Sequence, residues 1–202
     1  MAYVDMTRTM MQQFGVQVTA DLEKNSMVIP AGQKLQAKEY LIEPDISGAC
    51  YFYGAAALTG LSIQVKDVHL SALQGDVQFL PLLKSMGCHL KEDAEGVILT
   101  GPADEQLKAC EINMSAFSDQ AITLACLAPF ADGPITITGI GHIRFQESDR
   151  LHAIATELGK LGIRCEEGQD YITIYPGPVT AGAVDTYEDH RMAMGFSLIG
   201  LR

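Results

Sequence analysis

The sequence predicts an α/β protein of the α+β type, built from repeated β-α-β-α-β-β units around buried, parallel helices. Three observations carry that prediction. Asp45, Asp119 and Asp189 each open a small-residue apolar segment, and they stand 74 and 70 residues apart. Asp5, Asp76 and Asp149 each open an amphipathic segment that closes on glycine and runs into two alternating stretches, at spacings of 71 and 73 residues. Between the two kinds of segment lie stretches of period-two alternation, "LSIQVKDV" after Gly60 and "PITITGIG" after Gly133. Four intervals so close together indicate an internal repeat.

Taken in order, "VDMTRTMMQQFGVQVTADLEKNSMVIPAG" reads as helix, strand, polar turn and strand. "EYLIEP" is expected to be a strand leading into "PDISGACYFYGAAALTG", which is apolar nearly all round and so predicts a buried helix. "GDVQFLPLLKSMGCHLKEDAEGVILTGP" repeats the helix, strand and strand. "ACEINMS" is the leading strand of the next unit, "SDQAITLACLAPFADG" its buried helix, and "SDRLHAIATELGKLGIRCEEGQDYITIYPGP" its closing half. "EDHRMAMGFSLIG" begins a third buried helix. Asp and Ser at the helix starts are expected to accept the free first-turn N–H groups, and glycine at the ends to supply left-handed caps. The chain opens and closes inside units, so it reads as a piece of a larger protein.

With 25 acidic residues against 14 Lys and Arg, the net charge is −11. That argues against nucleic acid or an anionic membrane surface as partner, since both need a basic face. No apolar run reaches the roughly 20 residues that span a bilayer. Cys50, Cys88, Cys110, Cys126 and Cys165 show no metal-ligand spacing. They read as free thiols of a cytoplasmic protein without a metal.

Two helix starts carry more charge than a repeat needs. Glu147 and Arg150 lie one turn apart, where an exposed ion pair would be the plain account. The sister unit has Gln74-Gly75-Asp76-Val77 there, with neither the acid nor the arginine. His190 and Arg191 put cationic groups at a helix N-terminus, which opposes the helix dipole and is usually tolerated for a bound anion. Asp119 on its own reads as an N-cap. His69, His89 and His152 read as surface or packing residues.

The repeat, together with "LQGD", "ESDR" and "DHRMAM" at its helix starts, resembles the enolpyruvyl transferase family, and within it the branch that uses shikimate 3-phosphate. The likeness covers the whole chain but only about the C-terminal half of such an enzyme. It implies that residues 1–41 finish the last unit of one domain and that 42–202 make most of the other, with the active site between domains. It also implies transfer of the enolpyruvyl group from phosphoenolpyruvate to the 5-hydroxyl of shikimate 3-phosphate, without cofactor or metal. The complete enzyme would be a monomer, and this chain, missing its N-terminal domain, would be inactive alone.

By the same resemblance, Asp119 touches the shikimate ring hydroxyls and is a candidate base. Glu147 gives or takes the proton at the methylene carbon, and His190 belongs to the hydrogen bonds around it. Arg150 and Arg191 hold phosphoenolpyruvate, from one open groove. Tyr3, His142 and Gln146 fall at positions that bind shikimate 3-phosphate. At two of these the family usually has other residues, Lys where Gln146 stands and Asn where His142 stands; glutamine can hydrogen-bond a hydroxyl but carries no charge. The UDP-N-acetylglucosamine branch and a folded, non-catalytic piece are the alternatives.

Overall fold

The computed structural model describes residues 2–21, 23–102 and 106–202. Helix α1 (Ala2–Gln13) is followed by a small antiparallel hairpin of β1 (Thr19–Asp21) and β2 (Ser26–Val28). Val16 and Val18 are buried beneath it, but the main apolar core begins only at Ile46.

That core is organised by α2 (Ile46–Thr59), α4 (Ala121–Leu127) and α6 (His190–Ser197), with α3 (Phe79–Ser85) and α5 (Arg150–Lys160) outside them. Every residue of α4 is buried, as its unbroken apolar sequence requires. The pairing of neighbours shows that the three run parallel. Asp119 meets Arg191 just ahead of the point where Ile122 faces Gly195, and Gly54 faces Leu198 just ahead of the point where Arg202 bonds the Leu58 carbonyl. The glycines let the axes approach: a Cβ on Gly195 would lie 2.7 Å from Ile122 Cγ2, and one on Gly54 would lie 3.0 Å from Leu198 Cδ1. Among the described residues no helix is long and apolar enough to cross a membrane.

Two sheets cover these helices. One holds β3 (Ser62–Lys66), β4 (His89–Asp93) and β5 (Gly96–Thr100) in the order β3-β5-β4, all antiparallel. The other holds β6 (Cys110–Asn113), β7 (Ile135–Thr138), β8 (Cys165–Glu167) and β9 (Tyr171–Ile174) in the order β6-β7-β9-β8, with β6 parallel to β7. The orders are the same apart from β6, so the repeat predicted from spacing is a structural one. The β-α-β-α-β-β unit is complete from β6 to β9.

In the first unit, "EYLIEP" forms no strand. Instead of pairing with β3, this segment is tied to the loop ahead of α3. Leu73 N–H and the Gln74 amide donate to the Glu43 carboxylate, and the Gln74 amide also donates to the Pro44 carbonyl. The expected caps hold in part. Asp149 accepts His152 N–H and Asp189 accepts Arg191 N–H, and Gly60 ends α2 with φ 73°. The Asp45 side chain does not cap α2; Gln74 Oε1 accepts the Ile46 N–H there, at 3.0 Å.

Candidate active site

The starts of α4, α5 and α6 come together at one end of the helix layer. Asp189 caps α6, and its carboxylate is fully buried. Arg150, the first residue of α5, donates from Nε to Asp189 at 2.7 Å, and Ser148 Oγ adds a bond of 3.1 Å. Burial alone would raise the Asp189 pKa; the bonds from Arg150 and the Arg191 N–H overcome that and hold it below the usual carboxylate range.

Arg150 has an exposure of 2%, against the open-groove position expected from sequence. Its five N–H groups are all committed. Nε and one Nη2 hydrogen go to Asp189, the other Nη2 hydrogen to Glu147 at 2.5 Å, and the Nη1 pair to Gln146 and, at 3.4 Å, to Asp119. An anion can therefore reach this fork only by displacing a present partner. Glu147 is the replaceable one, since its own side chain is 53% exposed.

Asp119 lies in the 3-10 turn Ser118–Gln120 ahead of α4 and caps nothing with its side chain. One of its oxygens takes Arg150, while the other takes Arg191 Nη2 at 2.9 Å and the Tyr3 hydroxyl at 3.1 Å. Tyr3 comes from α1, so the N-terminal segment reaches the same cluster. Burial and the nearby Asp76 and Asp119 charges push the Tyr3 phenol well up, which keeps it a donor. For Arg191, partial burial alone would weaken the charge, but Asp119, Tyr51 and Asp76 together more than compensate and strengthen it. Among the described residues Arg191 makes one ion pair, to Asp119, with the Tyr51 hydroxyl also beside it, so it keeps donors to spare.

His142 Nε2 lies 2.8 Å from Ser118 Oγ, next to Asp119, and Gln146 is on Arg150. His190 departs from expectation. It is 66% exposed, with Nδ1 3.9 Å from Asp189, and makes no bond to Glu147. The first helical residue after a capping Asp turns outward here, while the cap itself turns back onto the Arg191 N–H.

The structure adds residues that the motifs did not single out as site residues. Asp76, from the sister helix start, is buried beside this cluster and hydrogen-bonded by Ser47; burial above all raises its pKa. Tyr51 and Gln120 are buried near Arg191 and Asp76 respectively. The "LQGD" motif pointed to Asp76, but nothing in the sequence marked its burial.

Two arginines face three carboxylates, Asp119, Glu147 and Asp189, so the ionised cluster is not net positive. To hold a phosphate or carboxylate firmly it needs further cations. The fork of Arg191 supplies planar anion recognition, and the exposed Glu147 supplies a carboxyl able to exchange protons with a ligand.

Comparison with known proteins decides the family. The family model for EPSP synthase (3-phosphoshikimate 1-carboxyvinyltransferase) matches residues 1–202. The chain belongs to that family. Among curated EPSP synthase relatives, the 3-phosphoshikimate 1-carboxyvinyltransferase of Nostoc punctiforme is 45% identical over 202 residues, covering 100% of this chain and 47% of that protein. The enzyme of the same name from a second Nostoc strain is 44% identical over 201 residues, again 100% of this chain and 47% of the other. The solved EPSP synthase of Acinetobacter baumannii superposes with a TM-score of 0.77 at 28% identity, over 96% of this chain and 47% of that one. The chain thus spans about half the length of the relatives it matches. The matched family is the shikimate branch, not the UDP-N-acetylglucosamine branch weighed from sequence.

Proposed function

We propose that this chain supplies one half of a site that transfers the enolpyruvyl group of phosphoenolpyruvate to the 5-hydroxyl of shikimate 3-phosphate. The observation that carries the reading is the meeting of Asp119, Glu147, Arg150 and Arg191 from three helix starts. Residues 1–41 belong to one domain and 42–202 to the other, consistent with the core beginning at Ile46. The complete protein works as a cytoplasmic monomer.

In this reading Arg191 takes the donor's anionic groups directly. Arg150 joins it once Glu147 lets go. Asp119 accepts the proton of the attacking hydroxyl as oxygen bonds to C2 of phosphoenolpyruvate, and Glu147 delivers a proton to the methylene carbon. In the second half the C2–O bond to phosphate breaks as Asp119 returns its proton to the departing phosphate, and Glu147 takes a proton back from the methyl group to restore the double bond. Protons balance, and phosphate leaves. Tyr3, His142 and Gln146 sit on the Asp119 side, where they meet the acceptor's hydroxyls. His190, directed outward, is assigned no proton step.

The test is phosphate release from phosphoenolpyruvate and shikimate 3-phosphate, by the chain alone and mixed with the N-terminal half of the Nostoc punctiforme relative. No release alone and release from the mixture is the expected result. Equal release from the mixture when Arg191→Ala is used would overturn the assignment.

A further inference from the structure

Glu157 is a buried charge that the site does not use. Its side chain is fully buried on α5, two turns beyond Arg150, and its bonds run away from the arginines. Oε2 accepts the Asp185 N–H at 3.1 Å, and Oε1 accepts the Tyr187 hydroxyl at 2.6 Å and Lys160 Nζ at 2.8 Å. Lys160 in turn bonds Asp185 at 2.7 Å. All of this grips the short segment just ahead of Asp189.

That segment is in an unusual state. Tyr187 and Glu188 are consecutive non-glycine residues with φ of 56° and 54°, where Cβ crowds the following carbonyl. The turn is closed by Asp189 N–H on the Thr186 carbonyl at 2.9 Å. It delivers Asp189 to Arg150 and starts α6 with Arg191 facing Asp119. Helix α5 therefore holds this strap with Arg150 at its start and, two turns later, with Glu157 and its neighbour Lys160.

We infer that Glu157 is a positioning residue for the anion site, keeping Tyr187 and Glu188 left-handed so that Asp189 and Arg191 are correctly aimed. The inference rests on the reading above that Arg191 receives the donor anion. A purely structural ion pair with Lys160 does not account for the arrangement. Lys160 is 40% exposed and already has Asp185, whereas two of the three Glu157 bonds come from the strap. Burial alone would raise the Glu157 pKa, and the Lys160, Tyr187 and Asp185 bonds bring it down instead, as for a carboxylate held ionised by its donors.

The test uses the full 202-residue chain, isotope-labelled, in three forms: wild type, Glu157→Gln, and Glu157→Gln with Glu188→Gly. Glycine takes positive φ without strain, so it restores the strap without restoring the Glu157 contacts. Backbone couplings at Tyr187 and Glu188 and phosphoenolpyruvate titration are the readouts. The wild type should show positive φ at both residues; Glu157→Gln should lose it and bind about tenfold more weakly, the scale of one left-handed residue's strain. Adding Glu188→Gly should recover most of the affinity without recovering thermal stability. Positive φ or unchanged affinity in Glu157→Gln overturns the inference, as does a rescue in which stability returns together with affinity. Should Glu157→Gln fail to fold, Tyr187→Phe removes one bond alone and should shift φ and weaken binding less, and no change there also overturns it. Should the wild-type chain alone bind no phosphoenolpyruvate for want of further cations, the couplings decide by themselves: positive φ kept in Glu157→Gln overturns the inference and its loss supports it.

Discussion

Gln74–Val77 and Glu147–Arg150 occupy the same place in two copies of one unit, ahead of α3 and at the start of α5. In the first copy the tie to a neighbouring helix start is made of hydrogen bonds without a cation: Gln74 accepts from Ile46 N–H and donates to the Pro44 carbonyl at 2.7 Å, and Ser47 donates to Asp76. In the second copy it is ionic, with Arg150 gripping the buried Asp189 that starts α6. Val77 stands where Arg150 does, so the repeat as such needs no guanidinium there. The lesson is that a charge unnecessary to a fold can become indispensable once a buried partner depends on it. The sister copy folds without an arginine, but the fully buried Asp189 carboxylate would be stranded if Arg150 were lost.

The largest effect expected is on that buried pair. Arg150→Met should cost about 3–5 kcal/mol in urea unfolding, the scale for stranding one member of a buried ion pair. Val77→Ala, at the matching place in the first copy, should cost far less, about 1 kcal/mol. Similar losses at the two positions would break the contrast.

Next in size is the division between the arginines. Arg191→Ala removes a charge-assisted contact of roughly 2–3 kcal/mol to a bound anion, which is tens-fold to over a hundred-fold in phosphoenolpyruvate affinity. Its stability cost should stay near 1 kcal/mol, because its partner Asp119 is partly exposed and keeps Tyr3 as a donor. Titration calorimetry and unfolding on the same variant give both numbers. Unfolding of Arg191→Ala with affinity retained would reverse the assignment.

A smaller effect sharpens the contrast through pH. Asp189 has a depressed folded pKa, so its contribution is present above the unfolded carboxylate pKa, about 4, and is lost as pH falls through the folded value. Asp76 has a raised folded pKa, chiefly from burial; its contribution is present below about pH 4 and is lost as pH rises through the folded value. Asp76→Asn should therefore stabilise the chain at neutral pH by about 1 kcal/mol and by less at pH 4. Asp189→Asn should destabilise it at neutral pH and by less in acid. Equal pH slopes for the two variants would show that the two starts do not differ electrostatically.

The architecture was legible because local signals and repetition agreed. Apolar helices opened by Asp, α2 closed by Gly60, and alternating strands recurring at one spacing needed no long-range knowledge. The missing strand at "EYLIEP" was not legible, since strand or loop depended on Gln74, some thirty residues away, capturing Glu43 and Pro44. Sequence motifs gathered Asp119, Glu147, Arg150 and Arg191 into one site, and the structure does bring these four together. Burial was the hidden variable. Arg150 looked available because its main partner lies 39 residues further on, and His190 looked central because a sequence does not show which way a first helical residue faces. The strap held by Glu157 was hidden for the same reason, since its three partners lie 3, 28 and 30 residues away.

The most direct test is a double-mutant cycle on unfolding free energy with Arg150→Met, Asp189→Asn and the pair. If the second unit's helix starts are bound through one buried ionic tie, either single change should be severe and the double should recover about 2–3 kcal/mol relative to their sum. Additivity within about 0.5 kcal/mol would contradict it, and would mean that Arg150 and Asp189 are independent charges that happen to lie side by side.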